Sequence, residues 1–583
     1  MNILGLSFFY HDSAACLLKD GEITAAVEEE RFSRQKHDSR FPKEAVKYCL
    51  KTAGLNIQDV DYIGFYEKPF LKFERILEGY VDTFPRSYRA FVSAMKIWLK
   101  EKIWIKDLIK KELNYRGKIY FIEHHLSHAA GSFLISPFKE AAILTVDAVG
   151  ERAAATCGVG RNNKIEILKE INWPDSLGML YSAFTYYLGF KVNSAEYKVM
   201  GAAPYGRPIY ADLIKEELID IKEDGSFKMN MDYFEYHYGL KMVNKKFENI
   251  FGGPRREPER KIEQRHWDIA ASIQAITNEI MVKMANHLYE ETKLKNICLA
   301  GGVALNCVSN SKILKETPFE KMFIQPAAGD AGGAMGAALY IDNVILDNGR
   351  RTKWSHAYLG PEFSNEEIGG YLEKLGVKYQ KLEEEKMIKI IARLIAEQKI
   401  IGWFQGRMEW GPRALGNRSI IADARNKENW QKVNLKIKFR ESFRPFAPTV
   451  LEEKTEEYFD LPKKILGEGT PTPYMLLTAQ VKKQIIPAVT HLDNSARLQT
   501  ISIKENYLYY NLIKEFENLT NCPVVINTSF NVRGEPIVCT PKDAFLCFMK
   551  TDIDYLAMGN YLLDKKEMPT KEIFLKEKEF SLD

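Results

Sequence analysis

One short pattern occurs twice near the start of this 583-residue chain: an apolar run, a polar turn, and a second apolar run. The first copy is Ile3 to Phe8, the turn Tyr10-His11-Asp12-Ser13, and Ala14 to Leu18, followed by the turn pair Asp20-Gly21 and a further run from Glu22 to Val27. The second copy is Ala141 to Val146, the turn Asp147 to Arg152 with Gly150, and Ala153 to Val159. Short apolar runs bounded by polar turns predict buried strands, and Asp-Gly between two of them predicts a hairpin. The repetition predicts a duplicated core in which both polar turns open on one cleft. A chain of this length is expected to form about two or three domains.

Strand, polar turn and strand, used twice, is the layout of the actin-like ATPases and sugar kinases, so an α/β fold is expected for the first part of the chain. Beside the second copy lies His124-His125-Leu126-Ser127-His128. On a helix His124 and His128 share a face, and two imidazoles at that spacing can hold one divalent metal. Asp147, at the end of an apolar strand, is a candidate third ligand. Asp330 opens the small-residue stretch Gly329-Asp330-Ala331-Gly332-Gly333-Ala334-Met335-Gly336 and is a candidate fourth. The plain alternative is a helix-surface histidine pair with an aspartate capping a turn. Between these elements a strand at Asn296 to Ala300 runs into Gly301-Gly302-Val303-Ala304-Leu305-Asn306, with a helix from Ser309. A glycine turn before a helix suits a phosphate or adenosine, making Gly301, Gly302 and Asn306 candidate nucleotide contacts. Close helix packing would explain the same glycines.

Composition narrows the function classes. The chain is 45% hydrophobic and 27% charged with a net charge of +4, which lends no support to a nucleic-acid or membrane partner. Its eight cysteines include no Cys-x-x-Cys pair, as expected in a reducing cytoplasm. The first residues resemble a strand rather than a signal peptide, and no apolar stretch is long enough to span a bilayer. A cytoplasmic protein is expected. Residues 70 to 118 carry Tyr80, Phe84, Tyr88, Phe91, Met95, Trp98 and Ile105 on one predicted helical side, with lysines elsewhere. Residues 205 to 265 read as a charged, irregular insertion over the cleft. Asp347 to Arg351 reads as a linker, dividing the chain into a domain at 1–352 and another at 353–583 with a C-terminal tail.

The second part gathers cations in glycine- and proline-rich turns. Arg407, Arg413 and Arg418 lie in Gly406 to Ser419; Lys436, Lys438, Arg440 and Arg444 follow; Arg497 and Arg533 come later, the last beside Asn527-Thr528-Ser529-Phe530-Asn531. Guanidinium forks and backbone N–H groups in such turns suit phosphate esters. The competing reading pairs these arginines with Glu409, Glu441 and Glu535.

The chain resembles the nodulation-protein and cephem type of O-carbamoyltransferases over nearly its whole length. The resemblance is carried by Tyr10-His11-Asp12-Ser13-Ala14-Ala15, by Glu28 to His37, by His124 to Ala130, by Gly329 to Gly332, by Gly411-Pro412-Arg413-Ala414-Leu415-Gly416-Asn417-Arg418-Ser419, by Phe443 to Pro448 and by Asn527 to Asn531. It implies an actin-like first domain similar to tRNA threonylcarbamoyl transferases and a YrdC-like second domain, so that the chain as a whole is expected to be α/β and α+β. It also implies a two-step reaction. Carbamoyl phosphate and ATP, with Mg2+, give carbamoyl-adenylate and pyrophosphate; a hydroxyl of a small-molecule acceptor then takes the carbamoyl group and AMP leaves.

By motif matching, Fe2+ would be held by His124, His128, Asp147 and Asp330, with His11 as the catalytic histidine. Arg413, Lys438, Arg444, Arg497, Asn527 and Ser529 would bind carbamoyl phosphate and ATP. The donor set itself does not choose among iron, manganese and zinc. Family precedent allows a homodimer. The rival readings are an actin-like phosphotransferase or ATPase with an accessory domain, which would yield ADP, a silent nucleotide-binding module, and a transferase acting on tRNA.

Overall fold

The computed structural model describes residues 1–441, 443–461, 465–466 and 470–569. The expected C-terminal tail beyond them lies outside the described residues. The chain forms two compact units. One comprises Met1–Glu29 and His37–Trp354; the other comprises Glu30–Lys36 and the chain from Ser355 onward. A short segment from near the N-terminus thus belongs to the second unit.

The first unit is built on a duplicated sheet. β1 (Asn2–Ser7), β2 (Ala14–Lys19), β3 (Glu22–Glu28), β4 (Tyr62–Phe65) and β5 (Lys118–Phe121) form one five-stranded sheet in the order β3-β2-β1-β4-β5. β6 (Glu140–Val146), β7 (Ala153–Arg161) and β8 (Lys164–Asn172) begin the second sheet. After a small hairpin of β9 (Ile219–Ile221) and β10 (Phe227–Met229), it is completed by β11 (Asn296–Ala300) and β12 (Lys321–Ile324), in the order β12-β11-β6-β7-β8. In each copy the first three strands are antiparallel and the last two run parallel to the first. β1 and β6 lie at the centre of their sheets, which is why both read as nearly continuous apolar runs.

Each copy also ends in a corresponding helix: His124–Phe133 follows β5 and Asp330–Tyr340 follows β12. Small residues let these helices and β1 pack backbone to backbone. A Cβ at Gly336 would stand 1.8 Å from the Ser127 carbonyl oxygen, and one at Gly5 would stand 1.8 Å from that of Ala334. The small-residue stretch after Gly329 therefore serves helix packing.

Two expectations from sequence are corrected and one is refined. Residues 205 to 265 are not irregular throughout: they hold the helix Ala211–Glu217, the β9–β10 hairpin and the helix Lys245–Ile250. The expected linker lies just before the division of the units after Trp354, and its arginines pack on the first unit: Arg350 donates to the carbonyls of Phe133 and Leu134 and Arg351 pairs with Asp342. Between residues 70 and 118, Phe91, Met95, Trp98 and Ile105 do turn inward or pack on aromatic neighbours, but Phe84 and Tyr88 are exposed.

The second unit centres on a ten-stranded mixed sheet. Its strands are β13 (Gln380–Lys381), β14 (Ile401–Phe404), β15 (Arg418–Asp423), β16 (Ala447–Leu451), β17 (Phe459–Asp460), β18 (Leu477–Val481), β19 (Ser495–Ile501), β20 (Val524–Ser529), β21 (Tyr555–Met558) and β22 (Tyr561–Asp564). The order is β13-β22-β21-β14-β15-β20-β16-β19-β18-β17. The helices Glu384–Ala396 and Tyr507–Thr520 bury Ile391, Ile395, Leu512 and Phe516 in a core shared with Ile420, Val524 and Ile526 of the sheet. All eight cysteines are buried and unbridged. Among the described residues no helix is long and apolar enough to cross a membrane.

Candidate active sites

In the first unit the duplication brings four side chains together. His124 and His128 stand one turn apart on the helix after β5. Asp330 opens the corresponding helix after β12, and Asp147 begins the turn after β6. His124 Nε2 and His128 Nε2 are 3.0 and 3.1 Å from Asp147 Oδ2, 3.1 Å from each other, and each 3.7 Å from Asp330 Oδ1. All four residues are buried, and one ligand atom from each falls within a mutual spread of 4.8 Å.

The surroundings fix these groups. Gly302 N–H donates to Asp147 Oδ1 at 3.1 Å, leaving Oδ2 for the imidazoles. Gly301 adopts φ +90°, and a Cβ there would meet the Val146 carbonyl oxygen at 2.2 Å. Tyr66 hydroxyl donates to Asp330 Oδ2 at 3.4 Å. Glu151 accepts the N–H of His124 at the start of the helix. The Nδ1 atoms of His124 and His128 are buried without a hydrogen-bond partner, so the polar contacts of both rings are made through Nε2. The middle histidine of the motif has another role: His125 Nδ1 meets Thr145 Oγ1 at 2.6 Å and its Nε2 meets the Ala153 carbonyl at 3.0 Å, a satisfied core residue.

Two imidazoles and two carboxylates converging through one atom each suit a divalent cation, as general coordination chemistry expects. The electrostatics agree. Although burial opposes it, Asp147 and Asp330 raise His128 to about 9. Burial likewise opposes ionisation of Asp147, yet His124 and His128 hold its carboxyl well below the usual range. This cavity favours positive charge strongly.

His11 occupies the turn between β1 and β2, the counterpart of the turn that carries Asp147. Burial works against its protonation, but Asp330, Asp12 and Asp147 together lift it to about 10. Asp12, at φ +52°, bridges two imidazoles: Oδ2 is 2.9 Å from His11 Nδ1 and Oδ1 is 2.7 Å from His37 Nδ1. His37 Nε2 is 3.0 Å from Ser194 Oγ. With Asp12 at Nδ1, the neutral His11 ring keeps its proton there and Nε2 is the basic nitrogen. Tyr10 packs on His11 at 4.6 Å, and burial, then Asp330 and Asp147, raise its hydroxyl pKa. Asn306 caps the helix Cys307–Glu316 and exchanges hydrogen bonds with Gln274, and Gly301 and Gly302 shape the Asp147 turn.

In the second unit the sheet gathers the expected anion-binding residues. Asn527 and Ser529 stand two apart on β20, and Arg497 and Gln499 two apart on β19, so each pair shares a sheet face. Gln499 links the strands, 2.6 Å from Thr449 Oγ1 on β16 and 2.7 Å from Asn527 Nδ2. Asn527 Nδ2 also donates to the Ala414 carbonyl at 3.2 Å, and Gln499 Nε2 to that of Leu415 at 2.9 Å, tying in the turn that carries Arg413. Asn527 Oδ1 and Thr500 Oγ1 are buried with no hydrogen-bond partner.

Lys438 Nζ donates to Ser529 and Asn531, including 2.7 Å to Asn531 Oδ1 and 3.2 Å to Ser529 Oγ. Burial, Arg440 and Arg444 push the Lys438 pKa well down. Such a pocket is short of negative charge.

The competing arginine–glutamate pairing is found in part. Glu441 lies 3.9 Å from Arg444 and 3.5 Å from Arg533, and Glu535 pairs with Arg34. Glu409 instead accepts the N–H groups of Leu415, Asn417 and Arg418, closing their turn. Two cations of the motif are architectural: Arg418 donates to the carbonyls of Gln405, Asn417 and Pro361, and Arg407 to that of Leu359.

Sequence reasoning missed Asp12, His37, Tyr66, Gln499 and Asn531. Asp12 lay inside a noted motif beside His11. Tyr66, an aromatic after an apolar strand, carried no distinguishing signal.

Both parts of the chain match models of a single enzyme family. Residues 2–339 match the carbamoyltransferase N-terminus and residues 392–565 the carbamoyltransferase C-terminus. The chain belongs to this family and is a carbamoyltransferase. Among its relatives, protein sll1178 of Synechocystis sp. is 51% identical over 100% of both chains. Nodulation protein NolNO of Sinorhizobium fredii is 37% identical over 96% of this chain and 79% of its own, and nodulation protein U of the same species is 28% identical over 92% and 94%. Among solved structures, the chain is similar to T. kodakarensis HypF, at 14% identity over 60% of this chain and 48% of that one, with a TM-score of 0.31. The ROK hexokinase of Thermus thermophilus gives 14% identity over 58% and 98%, with a TM-score of 0.27.

Proposed function

We propose that this carbamoyltransferase is ATP-dependent and works in two steps. The second unit, read as YrdC-like, makes carbamoyl-adenylate from carbamoyl phosphate and ATP. The first, read as actin-like, transfers the carbamoyl group to a hydroxyl of a natural product or sugar and releases AMP. The observation that carries this reading is the convergence of His124, His128, Asp147 and Asp330 from corresponding places in two copies of one motif, with His11 in the turn opposite. A phosphotransferase needs no such cluster.

Forming carbamoyl-adenylate consumes one water and releases inorganic phosphate from carbamoyl phosphate and pyrophosphate from ATP. The reactants are anions, so they must be neutralised and aligned. Arg413, Arg444 and Arg497 supply positive charge, an arriving anion would restore the charged form of Lys438 that burial and its arginine neighbours disfavour, and Mg2+ enters with ATP. Asn527 and Ser529 offer polar contacts at the end of β20.

In the first unit His124, His128, Asp147 and Asp330 would hold the metal, Fe2+ by family resemblance, though the donors suit manganese and zinc as well. When bound, it supplies Lewis acidity toward the phosphate or carbonyl oxygen of the adenylate. Asp330, Asp12 and Asp147 favour the protonated ring, so His11 would serve as the base once a cation held by Asp147 and Asp330 offsets their charge; its Nε2 would then accept the acceptor's hydroxyl proton as that oxygen bonds to the carbamoyl carbon and the bond to AMP breaks. Asp12 holds the His11 ring in the tautomer that this requires. Burial of the cluster excludes water, which would otherwise hydrolyse the adenylate.

The test is product analysis with ATP, carbamoyl phosphate, Mg2+ and a panel of hydroxylated acceptors. Exchange of labelled pyrophosphate into ATP that depends on carbamoyl phosphate, with AMP released in the presence of acceptor, is the expected result. ADP as the sole nucleotide product would return the phosphotransferase reading.

A further inference from the structure

Of the twenty large apolar side chains that are exposed among the described residues, nine fall between Phe70 and Trp104. They lie mainly on the helix Tyr88–Lys100 and its flanks. One side of that helix is packed: Phe91 against Tyr80 and Trp98 against Phe73. Its outer side is not. Tyr88, Val92 and Leu99 fall within about 40° of one another around the helix axis, and their exposures are 61%, 37% and 55%. Trp104, 52% exposed, extends the stripe by donating its indole N–H to the Leu99 carbonyl at 2.9 Å. Arg89, Lys96 and Lys100, all exposed, border it at about 80–120° from Tyr88.

The charge of this region differs from that of the rest of the chain. From Phe84 to Lys111 there are eight cations and two anions, a net +6, whereas the whole chain carries +4. Everything outside those residues therefore sums to −2. Summed over the chain, the charge conceals the segment.

An exposed apolar stripe with aromatic residues at its ends and long cationic side chains along one edge matches an interfacial helix. Its apolar side enters the headgroup–acyl boundary while lysine and arginine reach lipid phosphates. A second copy of the chain is the less favoured occupant, because a two-fold interface centred on this stripe would set Arg89, Lys96 and Lys100 against their own counterparts. We propose that the outer face of the helix Tyr88–Lys100, with Trp104, docks on an anionic lipid bilayer.

The experiment is co-sedimentation of the full chain with vesicles of phosphatidylcholine alone and of phosphatidylcholine mixed with phosphatidylglycerol, at low and high salt. Binding is expected to the mixed vesicles only, falling as salt rises. The triple variant R89Q/K96Q/K100Q should weaken it on the order of a hundredfold, and V92S/L99S by about tenfold. These exposed positions should leave thermal unfolding and pyrophosphate exchange unchanged, separating docking from folding and catalysis. Equal sedimentation with both vesicle types, or with neither, would overturn the proposal. Self-association lost in V92S/L99S would overturn it in favour of a second copy, and tighter binding to an oligonucleotide than to mixed vesicles would overturn it in favour of nucleic acid.

Discussion

The two candidate sites are electrostatic opposites. In the first unit two carboxylates, Asp147 and Asp330, face a pair of imidazoles in a buried cluster that draws in positive charge. In the second, Lys438 is buried near Arg440 and Arg444, and their mutual repulsion together with burial pushes its ammonium toward neutrality. One place seeks a cation and the other an anion.

The sharpest way to break that contrast is to remove one side of it. Asp330→Ala or His124→Ala should lower acceptor carbamoylation by about 10³-fold or more, while carbamoyl-phosphate-dependent pyrophosphate exchange stays within about threefold of wild type. Treatment with a chelator followed by Mg2+ alone should have the same selective effect. Loss of both half-reactions in a folded Asp330→Ala protein would show that the sites are not separable.

The reverse result is expected in the second unit. Lys438→Ala or Arg444→Ala should reduce pyrophosphate exchange by about 10²-fold. Lys438 also ties Ser529 and Asn531 together, so its loss affects binding and local order. Arg444→Ala probes the same step at a second cation, one that lies 3.9 Å from Glu441. If synthetic carbamoyl-adenylate were supplied, these variants should transfer at the wild-type rate; failure to do so would place them in the transfer step.

A smaller effect tests the order within the first site. Asp12 contacts His11 and His37 and acts as a positioning residue for His11. Asp12→Asn should lower kcat of transfer by roughly 10- to 100-fold, with KM for the acceptor nearly unchanged and pyrophosphate exchange intact. A change confined to KM would assign Asp12 to acceptor binding instead.

The same opposition explains what could be seen in the sequence. The first site was legible because its ligands sit on local signals: His124 and His128 one helical turn apart, Asp147 at the end of an apolar strand, Asp330 before a run of small residues. The duplication then brings them to equivalent places. The second site is assembled from β19 and β20, with the Arg413 turn and Lys438, all far apart in the chain. No spacing marks Gln499, which bridges three strands, and none distinguishes Arg418, locked onto backbone carbonyls, from Arg413 five residues earlier. Cation count pointed toward an anionic ligand; it could not show which cations are spent on architecture. The misplacement of Phe84 and Tyr88 has a similar origin, since periodicity locates an apolar side but not whether anything covers it.

Carboxylates offer the finest comparison. Asp147 is buried yet held ionised by its imidazoles, whereas burial pushes Glu505 in the second unit up to about 7, with only the Ser502 N–H and hydroxyl, at 3.3 and 3.2 Å, acting against it. A carboxylate whose pKa rises on folding gives full stability below its unfolded value, 4.5. That contribution is lost as pH rises through the folded value and is flat above it. Glu505 therefore costs the folded chain about 3 kcal/mol at about pH 8 and almost nothing at about pH 4. Glu505→Gln should raise Tm by a few degrees at the higher pH and leave it unchanged at the lower one. Equal gains at both would mean that the glutamate is opposed by packing rather than by charge.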